Sequence, residues 1–214
     1  GFRWAIRDIS ERKYMTSLKQ NGNSLPADCT EILKNRPTRR YSQGDLIPLE
    51  PSMLWYVDQG LVRLTTLTDQ NQELLVGLVG SGMPFGAYLT SLPLYEAIAV
   101  SDVELFQFPL AEVLNSSALA QLFFAITRQR LRQTEVLLTI LGERQIEKRL
   151  CRLFELLQAE MGEPLAEGMR LKVRLTQEDI AIACCSTRVT IGRLLSQLQK
   201  EGKIRLDQKR HIII

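Results

Sequence analysis

Two arginines near the C-terminus, Arg188 and Arg193, are spaced so that a single helix would present both on one side. At about 100° per residue, the same face carries Val189 and Gly192. A guanidinium fork pairs with O6 and N7 of guanine, and a valine methyl contacts the methyl of thymine. This pattern predicts a helix that reads the major groove of duplex DNA through Arg188, Val189 and Arg193. A separate stripe on the helix is apolar and predicted to be buried: Ile191, Leu194, Leu195 and Leu198.

Polar and cationic residues around this helix suit the phosphates that fix a protein's position on a duplex. The alternative to DNA binding at the tip of the C-terminal hairpin, around Lys209 and Arg210, is a solvated surface turn. The alternative on the helix is that the two exposed arginines bind nothing. The residues predicted to contact phosphates, or to lie beside those that do, are Ser186, Thr187, Thr190, Thr176, Gln177, Lys209 and Arg210.

The elements that must position these residues follow a fixed order after residue 170. The sequence predicts a strand at 171–175, a helix at 176–183, a tight turn, a helix at 187–201 and a hairpin formed by 204–206 and 211–214. This is the order of a winged helix-turn-helix. Thr176 is a suitable N-cap for the first helix, and Asp179 three residues later approximates a capping box.

The N-terminal half has a different pattern. Short β-type runs at 54–57, 61–67, 74–79, 97–100 and 103–108 alternate with turn residues, which predicts a small β-barrel or roll. Residues 1–24 predict a polar arm, and residues 25–34 a short helix.

Between these halves, a stretch from residue 118 to about 143 contains no proline and no glycine before Gly142, which predicts a long helix after possible caps at residues 115–117. We expect one face to pack on the β-roll and a heptad-like seam to pack on a second copy of the chain; a purely intramolecular helix is the alternative. A hinge at 142–145 and a helix at 146–161 follow. The seam consists of Phe124, Thr127, Leu131, Thr134, Leu138 and Leu141. The other apolar positions are Leu122, Ile126, Val136, Leu137 and Ile140.

The sequence therefore predicts an α+β fold with an arm (1–24), a β-roll sensor domain (25–115), a dimerisation helix and hinge (116–145) and a DNA-binding domain (146–214). The hydrophobic content of 45% and the net charge of +3 are ordinary for a globular protein. No apolar run is long enough for a membrane span, so a cytoplasmic protein is expected. With His211 as the single histidine, a Ser-His-Asp triad is impossible and an enzyme is not expected. The rival interpretation is a β-roll that binds partner proteins beside a vestigial DNA-binding domain.

The C-terminal run resembles the cAMP receptor protein and fumarate-nitrate regulator (Crp/Fnr) superfamily. Residues 175–181, LTQEDIA, and 186–195, STRVTIGRLL, keep the family spacing, and the similarity extends over nearly all of the chain from Leu25 onward. In that family the positions of Arg188, Val189 and Arg193 touch bases. Valine at 189, where many members have glutamate, is closer to the cyanobacterial nitrogen-control regulators. That branch implies a palindromic site of the GTA type.

The same resemblance implies a homodimer that activates or represses transcription, with RNA polymerase as a further partner. It also draws attention to Cys185, which stands where the family commonly has the glycine of the turn. A positive φ there would cost about 1 kcal/mol. Cys29, Cys151, Cys184 and Cys185 lack zinc spacing and are expected to be reduced, with a redox switch at Cys184 and Cys185 as the alternative. Gln145 replaces an aspartate that usually caps the helix after the hinge.

For an effector, the family uses the β-roll, which is of the cyclic-nucleotide-binding type, a double-stranded β-helix. Ala87 replaces the carboxylate that binds ribose, and residues 93–96 lack the arginine and serine that bind phosphate, so cAMP is not expected. Haem and iron-sulfur clusters are not expected either, because His211 is remote and the N-terminal part holds only Cys29.

The nitrogen-control regulators bind 2-oxoglutarate, and this chain matches part of that site, although Pro93 replaces a second arginine. The open alternatives are 2-oxoglutarate, another small molecule and no effector. Arg130 and Glu135 alternatively form a surface salt link. The residues predicted to bind an effector are Phe85, Gly86, Ala87, Tyr88, Arg130, Thr134 and Glu135.

Overall fold

The computed structural model of the chain describes residues 36–214. The predicted arm at 1–24, the predicted helix at 25–34 and Cys29 lie outside the described residues. None of the helices within residues 36–214 is both long and apolar enough to cross a membrane.

The N-terminal part is a β-roll made of two antiparallel sheets. Its strands are β1 (Thr38–Tyr41), β2 (Met53–Gln59), β3 (Val62–Leu67), β4 (Glu73–Val79), β5 (Pro84–Phe85), β6 (Tyr95–Ala99) and β7 (Val103–Pro109). The strand orders are β1-β7-β2-β5 and β4-β3-β6. Large side chains such as Trp55, Phe85 and Leu105 are fully buried in its core. The five predicted runs all form strands, whereas β1 and the two-residue β5 escaped prediction because neither has a period-2 apolar pattern.

Two helices follow the roll: a short α1 (Leu110–Asn115) and a long α2 (Ser117–Gly142). The Ser116 hydroxyl accepts a hydrogen bond from the Leu119 amide and so caps α2, as expected of this serine-rich start. With 26 residues, α2 is about 39 Å long. Its predicted inward positions, which include Leu122, Ile126 and Ile140, are buried.

Helix α3 (Ile146–Met161) begins and ends at the predicted residues. The predicted strand at 171–175 is wrong. A hairpin of β8 (Gly162–Leu165) and β9 (Gly168–Leu171), which the sequence pattern does not predict, follows α3 instead. Gly168, with φ of 140°, lets β9 approach the C-terminal residue closely, since a Cβ at this position would lie 2.6 Å from the carbonyl oxygen of Ile214. The glycines at 162 and 168 mark hairpin geometry that reads as loop in the sequence alone.

The C-terminal part contains α4 (Gln177–Ala183), α5 (Arg188–Lys200), β10 (Arg205–Leu206) and β11 (Ile212–Ile213). Strands β8 to β11 form one sheet in the order β10-β11-β9-β8. A single buried cluster joins this part to the roll, because Leu61 and Leu75 of the roll belong to the same apolar cluster as Ile180 and Ile191. The β-roll and the helix-turn-helix are therefore packed together.

Candidate nucleic-acid interface

Helix α5 begins where the sequence predicts. The Thr187 hydroxyl accepts from the Thr190 amide at 3.2 Å, and the two threonine hydroxyls lie 2.9 Å apart, so the helix is capped by the residue before Arg188. Ile191 and Leu198 are fully buried, which fixes the rotation of the helix. Its opposite face presents Val189, which is 83% exposed.

Arg188 and Arg193 are exposed on this outward face of α5. Neither forms an ion pair with a carboxylate within residues 36–214. The structure thus brings Arg188, Val189 and Arg193 onto one surface, as the helical spacing predicts. Gly192 is set back from it, because the Gln177 side chain lies over this glycine and a Cβ there would lie 3.1 Å from Gln177 Oε1.

The turn between α4 and α5 is tight. The Ser186 amide donates to the Ala181 carbonyl at 2.9 Å, and Cys185 has φ of 46°, the left-handed conformation anticipated for this glycine position. Cys184 is fully buried, and burial raises the pKa of its thiol to about 12. A thiol with that pKa stays protonated at neutral pH, so Cys184 does not supply the thiolate that a redox switch requires.

Helix α4 carries a complete capping box. The Asp179 amide donates to Thr176 Oγ1 at 3.1 Å, and the Thr176 amide donates to Asp179 Oδ2 at 2.9 Å. The box starts α4 at Gln177 and leaves exposed Thr176 and Gln177 at this end of the helix.

The wing is the hairpin of β10 and β11, and Asp207 stabilises its turn. Asp207 Oδ1 accepts a hydrogen bond from the His211 amide at 2.8 Å, and Asp207 Oδ2 lies 3.0 Å from His211 Nδ1. Arg210 has φ of 64° at the tip, and both Lys209 and Arg210 are exposed. The single histidine therefore has a structural position in the wing.

A polar cleft of about 670 Å³ lies between the start of α4, the outer side of α5 and the wing. Sequence reasoning missed several of its residues, Arg174 above all, because the wrong strand at 171–175 gave this arginine no assigned role. Four of the ten predicted DNA-binding residues line the cleft: Thr176, Gln177, Arg188 and Arg210. The other six lie outside its lining: Ser186, Thr187, Val189, Thr190, Arg193 and Lys209. The polar residues of the cleft include Arg174, Thr176, Gln177, Arg188, Ser196, Gln199 and Arg210.

A second, smaller cavity of about 180 Å³ lies between the β-roll and α2. It brings together Phe85, Arg130 and Thr134 from the predicted effector residues. It also contains Tyr95 and the seam residue Thr127, neither of which was predicted to bind an effector. Gly86, Ala87, Tyr88 and Glu135 do not line it; Tyr88 is 55% exposed and Glu135 faces outward.

The Arg130 guanidinium points inward, so the alternative of a surface salt link to Glu135 is wrong. Its Nη1 donates to Gln133 Oε1 at 3.1 Å, and Tyr95 is a further hydrogen-bond partner. The guanidinium also lies against Gly77, where a Cβ would stand 2.3 Å from Nη1. Burial lowers the pKa of Arg130, opposed by Tyr95 and Glu160, while burial raises the pKa of Tyr95 to about 12.

Among the described residues, no group of three histidines, cysteines or acids could hold a metal ion. The geometry of residues 36–214 offers two candidate binding sites: the exposed face of α5 for DNA, and the cavity beside Arg130 for a small molecule.

Known proteins resemble this chain in sequence and in fold. Residues 148–214 match the family described as the Crp-like helix-turn-helix domain. The global nitrogen regulator of Synechococcus elongatus is 30% identical over 211 residues, covering 94% of this chain and 92% of that protein. The global nitrogen regulator of Nostoc sp. is 30% identical over 166 residues, covering 73% and 74%. The regulatory protein CysR of Synechococcus elongatus is 32% identical over 162 residues, covering 74% and 75%.

Solved structures share the fold. A transcriptional regulator of the CRP family from Thermus thermophilus superposes with a TM-score of 0.70 at 20% identity, covering 82% of this chain and 91% of that one. FixK2 from Bradyrhizobium japonicum also gives 0.70, at 19% identity, covering 84% and 92%.

Proposed function

Since the chain belongs to the Crp/Fnr family of DNA-binding transcription regulators, we propose that it binds a two-fold-related DNA site as a homodimer under the control of a small effector. In this proposal the parts are an arm (1–24), a β-roll sensor (25–115), a dimerisation helix with its hinge (116–145) and a DNA-binding domain (146–214).

The observation that carries the DNA contacts is the exposed face of α5. Two guanidinium groups without a carboxylate partner in the described residues flank an exposed valine on a capped, rigid helix. Arg193 binds a guanine edge and Val189 contacts a thymine methyl, which suits the guanine and the thymine of a GTA-type half-site. Arg188 binds a base next to these two. Such a surface has little other use, which weighs against a vestigial domain in a protein-interaction module.

Phosphates bind around this helix and hold it in register. Hydroxyl groups of Ser186, Thr187 and Thr190 flank the start of α5. Phosphates are also bound by residues at the start of α4, Thr176 and Gln177, and by residues of the wing, Lys209 and Arg210. Arg174, which lines the cleft, is a further phosphate-binding residue.

The dimer forms along α2. Phe124, Leu131 and Leu138 recur every seven residues and are 76%, 59% and 64% exposed. A seam of this kind in a helix of about 39 Å packs against its symmetry mate as a parallel pair. Two-fold symmetry then places the two α5 helices on half-sites about one helical turn of DNA apart.

The effector binds beside Arg130. The cavity of about 180 Å³ is smaller than the ~300 to 1,000 Å³ of drug-sized sites, so it admits only a small molecule. An anion such as 2-oxoglutarate would take Arg130 as its charge partner and would compete with Gln133 and Tyr95 for it. The similarity to global nitrogen regulators supports this ligand class. cAMP is not proposed, because Ala87 offers no carboxylate to the ribose. The dimer acts in the cytoplasm and contacts RNA polymerase.

A selection of bound sequences from random duplex DNA tests this proposal, using the full chain with and without 2-oxoglutarate, and with cAMP as a control. We expect a palindrome with GTA-type half-sites, enriched more strongly with 2-oxoglutarate and not affected by cAMP. Enrichment of single, unpaired half-sites would contradict the dimer, and a response to cAMP alone would contradict the effector assignment.

A further inference from the structure

Arg149, on the first turn of α3, joins the ends of two other helices. Its Nε donates to the carbonyl oxygen of Glu143 at 2.7 Å, and its Nη1 donates to the carbonyl oxygen of Cys184 at 3.0 Å. Glu143 is the C-cap of α2, and Cys184 is the C-cap of α4. One guanidinium therefore connects the long helix to the first helix of the helix-turn-helix.

Both ends are natural positions for a cation. The last carbonyls of a helix lack partners within the helix and carry the negative end of its dipole. A guanidinium donates along fixed directions in one plane, so two carbonyls bound to it are held at a fixed mutual position. Arg149 thus sets the geometry between the two helix ends as well as satisfying them.

Ile140 of α2, Leu150 of α3 and Ile180 of α4 share one buried apolar cluster, so apolar packing supports the hinge without fixing a direction between the helix ends. Directional polar contacts at the hinge are few among the described residues. Gln145 makes no side-chain cap to α3, and Gly142 has open space where a Cβ would stand. Arg152 Nε lies 3.3 Å from the side-chain oxygen Oε1 of Glu143, and this ion pair does not involve α4. Among these hinge contacts, the bridge through Arg149 is the one that extends to the recognition motif.

The path from Cys184 to α5 is short and rigid. Only residues 185–187 separate this carbonyl from the first residue of α5, and the Ser186 amide is bonded back to the Ala181 carbonyl at 2.9 Å. A constraint on Cys184 is therefore a constraint on the start of the recognition helix.

We propose that Arg149 is a positioning residue that sets the distance between the two recognition helices and so determines which half-site spacing the protein prefers. This inference rests on the proposed homodimer, in which α2 supplies the two-fold axis. Arg149 itself bonds to backbone within its own chain and is not placed at the DNA.

The test uses Arg149→Gln and Arg149→Lys, with Lys148→Gln as the matched control, because Lys148 is an exposed cation on the adjacent position of α3. Affinities are measured by fluorescence anisotropy on three kinds of duplex. These are the selected palindrome, the same half-sites moved by about one base pair together or apart, and a single half-site. Thermal unfolding of each variant is recorded in parallel.

For Arg149→Gln, we expect the preference for the selected spacing over the shifted ones to fall about tenfold, since two charge-assisted hydrogen bonds are lost. Affinity for the single half-site should stay within about twofold of the unmodified protein. Arg149→Lys, which keeps the charge but not the planar fork, should lose spacing preference in the same direction. Lys148→Gln should keep it.

An unchanged spacing preference in a folded Arg149→Gln or Arg149→Lys protein overturns the inference. If Arg149→Gln fails to fold, the lysine variant decides. If the unmodified protein shows no spacing preference at all, the proposed dimeric binding itself is wrong, an outcome distinct from the failure of this inference.

Discussion

Arg63 Nη1 on β3 lies 3.0 Å from Asp179 Oδ1 on α4, and this ion pair joins the β-roll to the helix-turn-helix. The other carboxylate oxygen, Asp179 Oδ2, accepts hydrogen bonds from the Thr176 amide at 2.9 Å and from Thr176 Oγ1 at 2.6 Å, which completes the capping box. Glu73 adds a second carboxylate 3.2 Å from Arg63 Nη2. The Asp179 side chain therefore both caps the start of α4 and attaches this helix to the β-roll.

Arg63→Met should destabilise the folded protein by about 3 kcal/mol, because the Arg63 and Asp179 side chains are only 11% and 15% exposed and the remaining carboxylates lose their partner. Urea unfolding provides the measurement. Arg40→Met is the control: its pair with Glu104 spans 2.8 Å, but Arg40 is 78% exposed, so a loss below about 1 kcal/mol is expected. If the two variants lose the same free energy of unfolding, the Arg63–Asp179 ion pair does not stabilise the fold as a buried pair should.

Gly77→Ala should destabilise the chain by about 1 to 3 kcal/mol. The new Cβ would stand 2.3 Å from Arg130 Nη1, so the guanidinium must leave its partners Gln133 and Tyr95. Gly80→Ala, with nothing within 4 Å of the new atom, is the control and should change stability by less than about 1 kcal/mol. Melting temperatures compare the two, and a Gly77→Ala protein as stable as the control would show that Arg130 is not confined.

Arg193→Ala should cost about 1 to 3 kcal/mol of specific binding and relax discrimination at one base, because a bidentate base contact is lost. Lys209→Ala should instead weaken specific and random duplexes alike and reduce the salt dependence of binding. Anisotropy titrations on both duplexes at two salt concentrations separate the effects. Equal losses of Arg193→Ala on specific and random DNA would refute the base contact.

Leu138→Asp should convert the proposed dimer to monomers while leaving the fold intact, because Leu138 is 64% exposed in the single chain and lies on the seam of α2. Leu114→Asp is the control, since Leu114 is 62% exposed but lies on α1, off the seam. Sedimentation equilibrium gives the masses. A dimeric Leu138→Asp protein would place the interface elsewhere.

Glu160→Gln should stabilise the protein at neutral pH. Burial, partly offset by Gln133 and Arg130, raises the pKa of Glu160. A carboxyl whose pKa is higher in the folded state favours folding at low pH, and this contribution is lost as the pH rises through the folded-state pKa. The gain in melting temperature should therefore shrink as the pH falls towards about 4. The exposed Glu135→Gln serves as the control and should show no such trend; a pH-independent gain would mean that packing, not ionisation, is responsible.

Local signals made much of this molecule predictable. Helix α5 starts after Thr187, and the capping box joins Thr176 to Asp179, because a cap depends on residues three positions apart. The burial of Ile191 and Leu198 followed from helical periodicity alone. The β8–β9 hairpin was missed for the opposite reason, since its glycines have a local signature shared by loops.

By itself the sequence determined the order of the helices from α2 to α5, the orientation of the recognition helix and the family, because these depend on neighbours along the chain. Only the tertiary structure decided which partners the charged side chains take. Arg63 and Asp179 are 116 positions apart, and Arg130 turns inward to Gln133, Tyr95 and the space left by Gly77. A charged side chain follows no periodic pattern, because its position is set by the buried groups that the fold brings within hydrogen-bond distance.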